Sequence, residues 1–186
     1  MTDSTYALLQ RVSLNATTNT VTLNVSGLTG YTDLKIVTST RKVESGGGTN
    51  LQMRFNGTTA GYVQRTIIGN GSTAVSYYDT SEIGFMYVND ASQSANTFSS
   101  TEIYIPNYST TQSVKSVDIM NVVENNAVGG AICLTAVTWT NAAPITTIYF
   151  QVGNGAANFA ANSTFSVYGI SKLDVKLVSV GPSLVG

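Results

Sequence analysis

Apolar and polar residues alternate with period two along almost the whole chain, and no long stretch carries the period of an amphipathic helix. Residues 6–14 read as a first strand, 15–19 as a turn, and 20–25 as a second strand with Val21, Leu23 and Val25 on one face. That spacing predicts a hairpin. Residues 33–42 form a longer, more apolar strand, and Gly46-Gly47-Gly48 reads as a loop tip. A phosphate cradle is not indicated, because no Gly-Lys-Ser or Gly-Lys-Thr follows the triplet. Strands are predicted at 50–56 and 62–68, with tight-turn signals at Asn56-Gly57 and Asn70-Gly71. From 72 to 95 the pattern is disorderly, and only 81–88 reads as a strand. Further strands follow at 97–105, 114–124, 130–140, 145–152 and 164–171, while 153–162 is a loop with room for one helical turn. The runs 130–137 and 145–152, apolar on both faces, belong at the centre of sheets.

About nine to eleven short strands with turns between them predict an all-β fold, an antiparallel β-sandwich of jelly-roll type. An immunoglobulin-like sandwich suits a smaller domain. No internal repeat is present.

The stretch 96–109 is the most informative. Pro106 ends its strand, since proline supplies no ladder N–H. Ser99, Thr101, Ile103 and Ile105 share one face, and Phe98, Ser100, Glu102 and Tyr104 share the other. If the second face is inward, Glu102 needs a partner, with Arg54, Arg65 and Lys115 as candidates. If it is outward, Glu102 is a wet strand residue.

Composition narrows the chemistry. Only 10% of the residues are charged, against roughly 25% in an ordinary soluble domain. Ser, Thr and Asn take their place, giving a surface of hydroxyls and amides. The formal net charge of −1 offers no basic field, so no nucleic-acid partner is expected. No apolar run approaches the roughly 18 residues of a membrane span. The segment 1–5 lacks a signal-peptide pattern, which predicts synthesis in a cytosol without general secretory export. Cys133 is single and lies in an apolar run, where an inert core thiol is expected.

The chain has no histidine, which removes the usual general base, the imidazole metal ligand and the ordinary hydrolytic triads. The carboxylates are scattered and show neither a glycosidase pair nor a calcium loop of the expected spacing. No cofactor is expected. Tyrosines such as Tyr77, Tyr78, Tyr104, Tyr108 and Tyr168 lie in or beside the strands, where they serve a core, an interface or a sugar platform. Asn-x-Ser/Thr triplets, including Asn56-Gly57-Thr58, are expected by chance in this composition.

The segments 51–57 (LQMRFNG), 98–108 (FSSTEIYIPNY), 124–126 (ENN), Trp139 and 165–170 (FSVYGI) occur in that order. In this the chain resembles tailed-bacteriophage virion structural proteins, over roughly residues 6–172. The resemblance implies a β-sandwich on the capsid or tail, usually oligomeric, with no catalytic residues. It therefore implies a non-enzymatic capsid decoration protein, made in the bacterial cytoplasm and located in the virion. The expected assembly is a homo-oligomer, a trimer by preference, packed on major capsid or tail proteins. The alternative is a tail- or fibre-associated protein that binds host glycans. Glu102, Tyr104, Tyr108, Trp139 and Tyr168 become candidate structural or interface residues, with Glu102 satisfying an arginine or a backbone group.

Similar domains end near the Tyr168-Gly169-Ile170 strand, whereas this chain continues. Residues 1–172 are read as the sandwich and 173–186 as an extension whose Leu173, Val175 and Leu177 share one face. Such a strand closes its own sheet or adds to a neighbour's edge as an assembly arm. Truncation after Lys172 separates the two by oligomer mass and virion incorporation. Both fall if the segment is an arm; neither changes if it is not.

Overall fold

A computed structural model describes residues 5–46, 50–124 and 130–171. The extension with Leu173, Val175 and Leu177 lies outside the described residues, as does most of the glycine triplet. The described chain is all-β. Its strands are β1 (Tyr6–Ser13), β2 (Thr20–Asn24), β3 (Tyr31–Thr40), β4 (Asn50–Phe55), β5 (Tyr62–Gly69), β6 (Ala74–Asp79), β7 (Ile83–Tyr87), β8 (Ser99–Ile105), β9 (Lys115–Val123), β10 (Ala131–Trp139), β11 (Thr147–Val152) and β12 (Thr164–Ser171). The one helical turn is the 3-10 segment Gly153–Gly155. Among the described residues no helix is long and apolar enough to cross a membrane.

Two antiparallel sheets pack face to face as a β-sandwich. The larger has the order β1-β12-β3-β8-β9-β10-β5-β6 and the smaller β2-β11-β4-β7. Without the hairpins β5–β6 and β9–β10, the remaining orders are 1-12-3-8 and 2-11-4-7, the two four-stranded sheets of a jelly roll. The hairpins are inserted after β4 and after β8, and both attach on the β8 side of the larger sheet. They build a four-stranded wing, β9-β10-β5-β6, that widens one sheet only.

Alternation sets the burial. In β8, Ser99, Thr101, Ile103 and Ile105 are buried, while Ser100, Glu102 and Tyr104 face outward. The core between the sheets holds Leu23, Leu34, Ile36, Leu51, Ile103, Ile148, Phe150, Phe159 and Phe165, each contributing about 1.5–3 kcal/mol by its burial. Trp139 meets the Phe55 ring edge-on at 5.5 Å and stacks on Tyr62 at 6.3 Å. The Tyr62 hydroxyl accepts from the Phe55 N–H at 2.8 Å, joining the two sheets at that end.

Two expectations are corrected and a third is refined. β1 and β2 do not form a hairpin: β1 pairs with β12 and β2 with β11, in different sheets, because the chain crosses the sandwich at 14–19. Residues 74–79 are a strand, giving twelve among the described residues. Ala74 to Tyr78 are exposed on both faces, so no burial-driven alternation marked them. The run in β10 is central, as predicted, yet Ile132 and Leu134 are 54% and 53% exposed, because the wing's outer face is uncovered.

The wing is closed beneath by β7, whose edge is sealed by amide side chains. Asn121 of β9 accepts from the Tyr87 N–H at 2.8 Å and donates to the Tyr87 carbonyl at 3.0 Å, as a neighbouring strand would. It also donates to Thr101 Oγ1 at 2.9 Å. Gln64 of β5 donates to the Glu82 carbonyl at 2.9 Å and accepts from the Gly84 N–H at 3.3 Å. Both amides are fully buried. Truncation leaves buried backbone groups without partners, a large penalty. Asn121→Ala is expected to cost about 2–4 kcal/mol in urea unfolding, as a buried network is broken. A loss below about 0.5 kcal/mol, the size of an ordinary surface change, would contradict the clasp.

Candidate functional site

The outer face of the larger sheet is a shallow groove of about 980 Å³. Two rungs of cross-strand neighbours define it. One runs Ser76–Ile67–Leu134–Met120–Glu102–Val37 across β6, β5, β10, β9, β8 and β3. The next runs Tyr78–Arg65–Ala136–Asp118–Tyr104–Lys35–Tyr168–Leu8 and reaches β1. The first rung is apolar over the wing and ends on Glu102 and Val37, and the second carries Arg65, Asp118 and Lys35.

The wing is mixed on both faces, and on its inner side Tyr62, Val117, Ile119, Val137 and Trp139 join the core. Its inner face buries Gln64, Thr66, Asn121 and Thr135, with the Thr66 and Thr135 hydroxyls 2.9 Å apart. Its outer face exposes Ile67 at 57% and Met120 at 44%, beside Ile132 and Leu134. These four adjoin through the strand register, so they form a patch. Exposed apolar residues scattered singly are ordinary, whereas here they adjoin.

The charged rung is organised by pairs. Lys35 Nζ and Glu102 Oε2 are 2.8 Å apart, on diagonally related positions of β3 and β8. Their hydrogen bond holds the Lys35 ammonium above its ordinary pKa. The Tyr104 hydroxyl donates to Asp33 Oδ2 at 2.7 Å, while the Asn107 N–H donates to Asp33 Oδ1 at 2.8 Å. Asp33 thus fixes both the end of β8 and the turn after it. That bond, aided by burial, pushes the Tyr104 hydroxyl up to about 12. The Arg65 guanidinium lies 4.7 Å above the Tyr78 ring, within cation–π range.

The outward setting of Glu102 corrects its expected partners. Arg54 instead pairs with Glu82 on the outside of the smaller sheet, in a network with Gln52, Gln151 and Asn154. Arg65 stacks on Tyr78. Lys115 is buried, its ammonium donating to the carbonyls of Thr110, Ser113 and Ala142 at 2.8, 2.9 and 3.2 Å, and burial lowers its pKa. Tyr104 and Tyr168 lie on the same outer rung as Lys35. Tyr108 and Trp139 are both buried, so they build the core rather than a surface; the Tyr108 hydroxyl donates to the Leu28 carbonyl at 3.2 Å. Cys133 is fully buried, and burial pushes its thiol up to about 11.

Sequence reasoning missed Ile67, Met120, Ile132, Leu134 and the pairs Lys35–Glu102 and Asp33–Tyr104. A signal was present in 130–140, where Ile132 and Leu134 alternate with Cys133, Thr135 and Val137. A strand apolar on both faces was read as buried on both.

Among the described residues no group of three His, Cys, Asp or Glu side chains is placed to hold a metal ion. Asp118 and Glu102 are diagonal neighbours on β9 and β8, but the Glu102 carboxylate is committed to Lys35. Comparison with protein-family models, with curated proteins and with solved structures finds no match.

Two outcomes follow for the charged rung. Glu102→Gln is expected to change stability by less than about 1 kcal/mol, because both partners of the ion pair are partly exposed; a larger loss in urea unfolding would contradict the outward setting. The Tyr104 hydroxyl has a raised pKa in the folded state. Its contribution is therefore complete below the ordinary tyrosine value of about 10 and is lost as pH rises from there toward about 12. Asp33→Asn should return Tyr104 toward the ordinary value in a spectrophotometric titration, and an unchanged titration would contradict the assignment.

Proposed function

We propose that the protein is a non-enzymatic structural subunit of a tailed-phage virion, most simply a capsid decoration protein. It assembles as a homo-oligomer and meets its neighbours through the outer face of the wing. The observation that carries this reading is the contiguous exposed patch Ile67–Leu134–Met120 with Ile132. Removing such a patch from water contributes about 25 cal/mol for each Å² of apolar area buried. The paired charges beside it give a rim that fixes orientation without a strong field. A low-charge polar surface elsewhere allows many copies to sit close together.

A second reading has its own observation. Tyr6, Tyr78 and Tyr104 line the same groove with Asp118, an arrangement of ring faces and acceptors that suits a sugar chain on a fibre.

Leu134→Lys separates the two. The side chain is exposed, so folding should change by no more than about 0.5 kcal/mol. Under the assembly reading, the oligomer mass falls and capsid occupancy is lost, while a glycan array stays silent for the parent protein. Retained assembly in the variant would overturn the reading. Array binding that Tyr78→Ala abolishes would favour the sugar chain.

A further inference from the structure

Among the described residues the two sheets have four edge strands: β1, β6, β2 and β7. An open edge displays unpaired N–H and C=O groups and invites another strand, so proteins block it with bulges, charges or covering side chains. Three of the four are blocked. β1 is broken by a register shift between Leu8 and Gln10 and carries the exposed Arg11. On β2, the Asn24 N–H donates to the Gln10 side chain and the Thr20 carbonyl accepts from the Thr18 hydroxyl. β7 is sealed by Asn121 and Gln64.

β6 carries none of these devices. It pairs with β5 in unbroken register from Gln64–Asp79 to Gly69–Ala74. It has no proline, no lysine or arginine, and its only charge is Asp79 at its end. Asp79 is itself held in the following turn, accepting from the Ser81 N–H at 2.9 Å. The strand is also well formed: the Asn70 side chain accepts from the Ser72 and Thr73 N–H groups at 3.1 and 2.9 Å, fixing the β5–β6 turn. Val75, Tyr77 and Tyr78 are 41%, 46% and 58% exposed, which is unusual for a β-branched and aromatic strand.

We propose that β6 is a two-fold contact, in which two copies of this chain pair their β6 strands antiparallel about Ser76 and join their larger sheets edge to edge. The sequence is self-complementary in that register. Ser76 opposes Ser76 of the second copy on the outer face, and Ala74 opposes Tyr78. On the inner face Val75 opposes Tyr77, a β-branched and aromatic pair of the favoured kind. Moving the centre to Tyr77 would instead set Val75 against the charged Asp79. A symmetric contact of this kind uses the same patch on both subunits. It deepens the assembly reading by naming a second surface, and it joins copies in pairs whatever number gathers on the outer faces. The contact is short, so a covalent trap at its centre is the direct test.

Residues opposed in an antiparallel pair have Cα atoms about 4.5–5.5 Å apart, within disulfide range. Ser76→Cys should therefore cross-link into a dimer under mild oxidation. Ser72→Cys, in the exposed turn, should not, and Cys133 is buried away from either. Ser76→Lys places two like charges face to face and should abolish pairing. Mixing it with Ser76→Glu should restore a dimer that neither variant forms alone. Cross-linking no faster than the Ser72→Cys control overturns the proposal, and so does a mixture that stays monomeric. Leu134→Lys added to Ser76→Cys should leave the cross-link intact, so failure of the outer-face reading and failure of the edge contact give different results.

Discussion

The structure depends on a mismatch of width, an eight-stranded sheet packed on a four-stranded one. The inserted hairpins carry the larger sheet past β7, the last strand that can cover it. A free strand edge lying under a sheet would bury unpaired backbone groups at a cost of about 1–3 kcal/mol each. Asn121 and Gln64 remove that cost by standing in for the missing strand. The amide of Asn121, with one acceptor and two donors in a plane, meets both backbone groups of Tyr87 and a threonine besides. Asn121 and Gln64 sit among the wing's buried apolar residues because the edge must be closed.

The wing carries apolar residues on both sides of its sheet. Its inner side buries Ile68, Val117, Ile119, Val123 and Val137 around the polar clasp, and further aliphatic side chains stand on the outer side of the pleat. Ile67, Met120, Ile132 and Leu134 do little for the monomer's core and leave a groove that water covers poorly. Beside them charges are already spoken for: Lys35 by Glu102, Asp33 by Tyr104 and Asn107, Arg65 by the Tyr78 ring. Asp118 stands exposed on the same rung, so most of the charges are paired while the apolar groups are open. These features support the proposal of a subunit that packs on its neighbours.

The jelly-roll half of this architecture was legible in the sequence. Period-two alternation placed β4, β5, β9, β10 and β12 within one residue at each end and β3, β8 and β11 within two, because each has one face on the buried side. It placed Ser99, Thr101, Ile103 and Ile105 on one face of β8 and Glu102 on the other. The wing was harder. β6 is exposed on both faces, so burial left no pattern in its sequence. In β10 the apolar outer face looked like a second core contact. The Glu102 partner was missed for a geometric reason: Lys35 lies on the neighbouring strand, and only the β3–β8 register brings the two together. Arg54 and Lys115 were already committed, the first to Glu82 and the second to three carbonyls.

The central claim is that the outer face of the wing is covered when copies assemble. Met120 reports on it directly, because its sulfur lies in the exposed patch while Met53 and Met86 are fully buried controls. Peroxide oxidation of each methionine can be followed by mass spectrometry in dilute protein and in the assembled particle. The account predicts rapid oxidation of Met120 in dilute protein, strong protection on assembly, and slow oxidation of Met53 and Met86 in both. Equal oxidation of Met120 in the two states would contradict it.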